Sequence, residues 1–582
     1  MRKEKMQAFC KLETPFDLEN GGWEKTYPRP QMKRDSFFSL CGAWSLSVQK
    51  EESVTALGEI TVPYPPESAL SGIERALGKG EKWLYEKSFT LPEGFCFEGG
   101  RVLLHFGAVD QIAEVSLNGK ALLRHEGGYS PFSVDITDAI SENNYLQVLV
   151  TDDLDLSFPY GKQCEKRGGM WYTPTSGIWQ SVWLECVPEN AFSALRLTPA
   201  LDSIRIETQG GGAKKTATVT LDGESYTYDY EGDEIAIKIE KPRIWTPESP
   251  TLYTLTLTDG TDTVTSYFGL RTMGVQKRGN RAYLCLNGEP YFFSGVLDQG
   301  YFSDGIFTPK TEQGYAYDIL TMKKMGFNML RKHIKVEPDV FYYLCDKLGM
   351  VVFQDMVNSG KYSFFYDTAL PTVGLKCRRG KKTLPHQKER FETALWDTTQ
   401  QLYNHPSVCY YTIFNEGWGQ HDTDALYEKA KGLDPSRVWD SASGWFLPKK
   451  SDVKSEHIYF RKIKLSADSE KPLVLSEFGG YSLAIEGHIF NLNKAYGYGK
   501  TQSREAFTEA LKALYLGEVI PAIKGAGLCT TVLTQLSDVE DEINGLVTYD
   551  RQVEKADASA MREIAQALQQ AFSQMLREAA SV

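Results

Sequence analysis

Val408-Cys-Tyr-Tyr-Thr-Ile-Phe-Asn-Glu-Gly-Trp-Gly419 is an apolar run that stops abruptly at Asn415-Glu416 and turns at Gly417. Pro472-Leu-Val-Leu-Ser-Glu-Phe-Gly-Gly480 repeats the pattern, with Glu477 at its end and glycines after it. Continuous apolar runs suit strands buried on both faces, as in a parallel sheet covered by helices. In a closed parallel barrel the C-terminal strand ends open into one shared bowl. Two glutamates, each closing such a strand, would face one another there.

The surrounding chain fits that barrel. From residue 276 to residue 582, strand-like runs alternate with helical stretches. The runs are Tyr291–Val296, Phe327–Arg331, Met350–Phe353, Val408–Phe414, Arg437–Asp440, His457–Phe460, Leu473–Ser476 and Leu528–Gln535. Amphipathic segments lie between several of them: Glu312–Met325, Pro338–Leu348, Pro385–Tyr403 and Thr423–Leu433. Eight strands predict a (β/α)₈ TIM barrel, with the glutamates closing strands four and seven. A doubly wound sheet is the alternative, but no Gly-x-Gly-x-x-Gly follows an early strand.

Upstream the period changes to two. Phe132, Val134 and Ile136 alternate with polar residues, and Ala113–Leu117, Asn118-Gly119 and Lys120–Leu123 spell a hairpin with a type I′ turn. Pro63, Pro65 and Pro66 exclude a helix nearby. Residues 1–188 therefore read as a jelly-roll β-sandwich. Residues 189–275 hold short strands such as Ile204–Glu207, Ala217–Leu221 and Ile235–Ile239, split by glycine-rich turns, and read as an immunoglobulin-like β-sandwich.

Composition narrows the function. The chain has 582 residues, 42% hydrophobic and 24% charged, which excludes a disordered, collagen-like or coiled-coil protein. Its net charge of −12 argues against a nucleic-acid partner. Aromatics reach 12%, as a large β-rich core or sugar-stacking surfaces would require. No apolar run follows the basic start, and none approaches the ~20 residues of a membrane span, so a cytoplasmic protein without a membrane partner is expected. The ten Cys contain no Cys-x-x-Cys and the eight His no His-x-x-x-His. No metal and no cofactor are expected.

Paired carboxylates suit cleavage of a glycosidic bond. The leaving alcohol needs a proton donor, and the oxocarbenium-like transition state needs a negative partner. Desolvation and a charged neighbour would raise the pKa of the donor, and loss of that charge in a covalent intermediate would lower it again.

With these residues the chain resembles glycoside hydrolase family 2, which contains β-galactosidases, β-glucuronidases and β-mannosidases. The resemblance rests on Tyr27-Pro-Arg-Pro-Gln31, Leu40-Cys-Gly-Ala-Trp44, Tyr172-Thr-Pro-Thr-Ser-Gly-Ile-Trp-Gln180 and Trp245-Thr-Pro-Glu-Ser-Pro-Thr-Leu-Tyr253. Phe268-Gly-Leu-Arg271, Gly295-Val-Leu-Asp-Gln299 and the two glutamate segments complete it. It implies a sugar-binding jelly roll, an immunoglobulin-like sandwich and a catalytic barrel, with Glu416 as acid/base and Glu477 as nucleophile of a retaining enzyme. It also implies a carbohydrate substrate, and self-association is common in the family, so a homo-oligomer is an open expectation. By the same resemblance Asn415 is the partner of the sugar 2-hydroxyl. Arg331 is expected to bond the nucleophile, with a buried structural ion pair as the competing reading. Tyr459 is expected to donate to Glu477, and His333, Trp445, Trp418 and Asp298 are candidates to line the sugar site; for each, a plain structural role is the alternative.

The expected activity is an exo-acting β-galactosidase, with a β-uronidase or β-mannosidase as alternatives and a non-catalytic carbohydrate-binding protein as the rival from another class. The Asn-x-Lys pair with which glucuronidases of the family read the sugar carboxylate has no clear counterpart. Asn118-Gly-Lys120 falls on the hairpin turn, and Asn491-Leu-Asn-Lys494 has the wrong spacing. Lys376-Cys-Arg-Arg-Gly-Lys-Lys382 packs five cations into seven residues and reads as a solvated loop, or as a reader of acidic groups if it lies over the barrel mouth.

Overall fold

Asn118 and Gly119 both take left-handed backbone, with φ of 53° and 80°. That pair of angles is what a type I′ turn demands, so Ile112–Leu117 folds back antiparallel on Lys120–Glu126. The hairpin edges a six-stranded sheet that faces a four-stranded one containing Arg101–Phe106 and Val182–Val187. Trp44, Trp83, Tyr85, Phe106 and Leu184 fill the space between them. This is the jelly-roll sandwich. The computed structural model describes residues 9–18, 21–375 and 383–580. The basic run Lys376–Lys382 lies outside the described residues.

The second sandwich has seven strands in sheets of three and four, including Ser203–Gln209, Lys214–Leu221 and Tyr253–Thr258. Arg34 clamps it to the first: its guanidinium reaches Glu185 at 3.1 Å and Asp262 at 2.7 Å, all three side chains being buried. Arg271, at the end of the second sandwich, donates to the carbonyls of Pro406 and Val408, both at 2.8 Å. It thereby holds the start of the strand that leads to Glu416.

The barrel strands are β1 (Phe293–Asp298), β2 (Met329–Lys332), β3 (Val351–Asp355), β4 (Val408–Thr412), β5 (Val438–Asp440), β6 (Lys454–Ile458), β7 (Leu473–Gly479) and β8 (Leu528–Thr534). All eight expected runs become strands, paired in parallel in the order β5-β4-β3-β2-β1-β8-β7-β6. The near-closed ring has its seam between β5 and β6, where the Ser455 hydroxyl donates to Asp440 at 2.5 Å. The four expected helical segments fold as Gln313–Lys324, Asp339–Leu348, Gln387–Leu402 and Thr423–Leu433. A hairpin, Met273–Arg278 with Arg281–Leu286, straddles the expected entry to the barrel and sends Tyr283–Leu286 into the barrel core. No described helix is long and apolar enough to cross a membrane.

Candidate active site

Local backbone aims the two glutamates. After β4 the chain keeps pairing with the β5 side: Ile413 N–H donates to Asp440 O and Glu416 N–H to Ser443 O. Glu416 and Gly417 then both turn left-handed, with φ of 54° and 74°. For Glu416 this is a strained conformation, of the kind that clusters at functional sites. On β7, His457↔Glu477 follows Glu456↔Leu475, so Ser476 is an extra residue relative to β6. Such a bulge re-aims the next side chain, here Glu477, toward the axis.

The two carboxylates are buried and close. One oxygen of each, together with a ring nitrogen of His457, lies within 4.8 Å of the others. Glu477 accepts from Arg331 Nη1 at 3.0 Å and from the Tyr459 hydroxyl at 2.8 Å. Among the described residues the Glu416 carboxyl group hydrogen-bonds only His457, Nδ1 to Oε1 at 2.8 Å. Burial pushes the Glu416 carboxyl up to about 7, against the pull of Lys162 and Arg331. The expectation placed the charge of Glu477 alongside burial as the cause; burial is the largest cause, and the acidic neighbour that adds to it is Asp367. Burial and Glu416 also raise Glu477, while His457 and Arg331 oppose them. Two direct donors favour the ionised form of Glu477, so it loses its proton first and Glu416 keeps its own.

Arg331 organises the floor of the bowl. Besides Glu477 it bonds Asp355 through Nε and Asn415 Oδ1 through Nη2, each at 3.0 Å. The Ser443 hydroxyl also donates to Asn415 Oδ1. With its oxygen occupied twice, Asn415 has its amide N–H groups left for a ligand. Arg331 is thus both the partner of Glu477 and a member of a buried ion pair with Asp355.

A cavity of about 290 Å³ stands over this floor and is lined by Asn415, Glu416, Glu477, Tyr459, His333 and Trp445 among others. His333 bonds Asp355 at 2.7 Å, and burial holds its ring neutral, with a pKa of about 3. The Trp445 indole N–H has no partner among the described residues, though the side chain is 95% buried. Two expected sugar contacts stand apart from the cavity. Asp298 is paired with Lys332 at 2.6 Å and accepts from Gly300 N–H, because β1 and β2 set Asp298 beside Lys332. Trp418 donates to Gly360 O and packs among Tyr160, Trp171 and Tyr362, one layer behind the wall.

The sequence reading missed His457, Lys162, Gln299, Tyr498 and Glu542. His457 had a signal: it stands two residues before Tyr459 at the end of one strand, and alternate residues share a face. Lys162 comes from the jelly roll and Glu542 from the loop after β8, and no local pattern points to either. The Lys162 ammonium lies 5.7 Å over the Trp171 ring, and Glu542 accepts from the Tyr172 hydroxyl at 2.5 Å. Asn491, weighed as part of a carboxylate reader, instead donates to Asp541.

Three residues, Glu416, His457 and Glu477, suggest a cation site by proximity alone. Arg331 Nη1, a donor only, faces His457 Nε2 at 3.4 Å. With Nε2 accepting there, the ring proton would sit on Nδ1, the very atom a cation would need.

Comparison with known proteins agrees with this architecture. The description "Glycosyl hydrolase 2 galactose-binding domain-like" matches residues 65–177, "Glycosyl hydrolases family 2" matches residues 196–271, and "Glycosyl hydrolases family 2, TIM barrel domain" matches residues 281–569. A β-galactosidase of Aeromonas hydrophila subsp. hydrophila is 26% identical over 411 residues, 65% of this chain and 37% of its own length. A β-glucuronidase of Bacteroides fragilis is 27% identical over 428 residues, 65% of this chain and 56% of its own. The matched part thus spans between about a third and just over half of these curated relatives. The solved β-D-glucuronidase of Dictyoglomus thermophilum shares the fold, with a TM-score of 0.73 at 18% identity over 93% of this chain and 98% of that one. Three family models in sequence, over a sandwich, a second sandwich and a barrel with two facing glutamates, place the chain in glycosyl hydrolase family 2.

Proposed function

We propose that the chain is a retaining, exo-acting β-glycosidase with terminal β-linked galactose as its preferred glycone. The observation that carries this reading is the approach of Glu416 and Glu477, with an oxygen of each within 4.8 Å. Retaining enzymes hold their carboxyl groups ~5–5.5 Å apart, whereas inverting enzymes leave ~6.5–9.5 Å for a water. In the first step Glu477 attacks the anomeric carbon. The glycosidic C–O bond breaks, its electron pair goes to the leaving oxygen, and that oxygen takes the Glu416 proton. In the second step Glu416 takes a proton from water, the water oxygen bonds to the anomeric carbon, and the bond to Glu477 breaks. Arg331 and Tyr459 keep Glu477 ionised, and Asn415 offers its amide to the sugar.

The neutral glycone is favoured by Glu542, a buried acidic side chain on the cavity wall, whose carboxylate form would repel a uronate. A β-uronide is the second reading, favoured by Lys162, a buried cation with no ion pair among the described residues, and by the glucuronidases among the relatives. A panel of chromogenic β-glycosides tests both. Release from the galactoside, abolished by Glu477→Gln, supports the first reading. Release from a uronide alone replaces it with the second, and binding without turnover on every glycoside removes the enzyme reading.

A further inference from the structure

We propose that His457 is a positioning residue that assigns the acid proton of Glu416 to one oxygen, Oε2. The inference rests on the reading of Glu416 as acid/base and adds to it.

The argument begins at Arg331. A guanidinium has donors only. Nη1 donates to Ser476 O and Glu477 Oε1, both at 3.0 Å, and stands 3.4 Å from His457 Nε2, so a proton on Nε2 would face a donor nitrogen. Burial also disfavours the imidazolium, with a pKa of about 4. The ring is therefore neutral with its proton on Nδ1. Nδ1 lies 2.8 Å from Glu416 Oε1, so Oε1 accepts. A carboxylic acid proton on that same oxygen would oppose Nδ1–H at hydrogen-bond distance. It resides on Oε2.

The contact is built rather than incidental. Gly444 has φ +90°, and a Cβ there would stand 3.1 Å from His457 Nδ1 and 3.2 Å from Glu416 Cγ. A glycine lets the two side chains meet. Trp445 packs edge-on against the imidazole at 5.5 Å and fixes its plane.

His457 Nδ1 is also 3.5 Å from Glu477 Oε2. One N–H thus stands between two carboxylates whose charges alternate during double displacement. When Glu416 gives its proton to the leaving oxygen it becomes anionic, just as Glu477 loses its charge to the sugar. The bond from Nδ1–H to Oε1 becomes charge-assisted at that moment, roughly twice as strong as a neutral one. An interaction that strengthens toward the transition state accelerates the step.

The charged and titratable groups that act on Glu416 are Lys162, Arg331 and Asp367, with His457 in contact and Glu477 across the cavity. Removing the N–H takes a donor from the ionised form, so the Glu416 pKa rises. The test compares His457→Leu and His457→Asn with wild type on a phenyl and a dinitrophenyl β-galactoside, or on the corresponding pair of whichever glycoside the panel identifies. Glu416→Ala is measured beside them. His457→Leu is expected to lose ~10²-fold in kcat/KM on the phenyl substrate, less than ~10-fold on the dinitrophenyl one, and to move the alkaline limb upward. His457→Asn, whose amide N–H can take the place of Nδ1–H, is expected to restore both. Equal loss on the two substrates, or an unmoved limb, overturns the proposal. If Glu416→Ala itself shows no dependence on the leaving group, the acid/base reading fails instead. Should His457→Leu not fold, histidine nitrogen NMR of the wild type decides: a proton on Nδ1 of His457 is expected, and a proton on Nε2 overturns the assignment.

Discussion

Arg331 meets Glu477 at 3.0 Å, Nη1 to Oε1, and both side chains are buried below the cavity. The same guanidinium bonds Asp355 and Asn415, so its planar fork, and not its charge alone, holds the floor together. A lysine ammonium is a point donor and cannot span these partners. Arg331→Lys is expected to fold and to lose at least ~10²-fold in kcat/KM. Arg331→Met leaves two buried carboxylates without their cation and is expected to cost about 3–5 kcal/mol of stability in a denaturant titration.

The proposed double displacement requires Glu477 ionised and Glu416 protonated. With Glu416 raised to about 7, kcat/KM is expected to fall as pH rises through about 7. Removing a donor from the nucleophile works on the other limb. Tyr459→Phe takes away the 2.8 Å hydrogen bond to Glu477 Oε2, so the Glu477 pKa rises and the acid limb moves upward. Initial rates across pH for the wild type and Tyr459→Phe measure both shifts, and an acid limb that stays in place removes the role given to Tyr459.

The same burial has a cost in stability. The folded pKa of Glu416 lies above its ordinary value of 4.5, so between 4.5 and about 7 the folded chain binds more protons than the unfolded one. Stability from this group is full below 4.5 and is lost as pH rises through about 7. Glu416→Gln, which never ionises, is expected to be the more stable protein at about pH 8 by up to ~3 kcal/mol, with no such gain at about pH 4. Paired thermal or urea melts at the two pH values check the sign.

Gly444→Ala adds a methyl group against His457 and Glu416 at a backbone angle that side chains rarely adopt. A loss of about 1–3 kcal/mol and at least ~10-fold in kcat is expected. Unchanged kinetics would show that the Glu416–His457 contact does not need that glycine.

Much of the molecule was legible because its signals are local. The barrel strands are apolar runs bounded by turns, and Asn118-Gly119 announces its hairpin by backbone preference alone. Glu416 and Glu477 were legible because each ends such a run beside glycine. What escaped depends on tertiary neighbours. Asp298 has the right residue type at a strand end, yet the register of β1 on β2 places Lys332 beside it and spends its charge there. Trp418 follows Glu416 by two positions, but the left-handed turn at Glu416–Gly417 carries it behind the wall. The bulge at Ser476 and the approach of Lys162 and Glu542 are properties of packed elements and leave no mark on a window of sequence.

Lys162 belongs to the jelly roll yet lines the cavity over Glu416 and Glu477. The amino-terminal module is therefore no detachable accessory, since cutting it away removes an amine from the wall of the cavity that holds Glu416 and Glu477. A foreign sandwich grafted onto this barrel would leave that wall without its lysine.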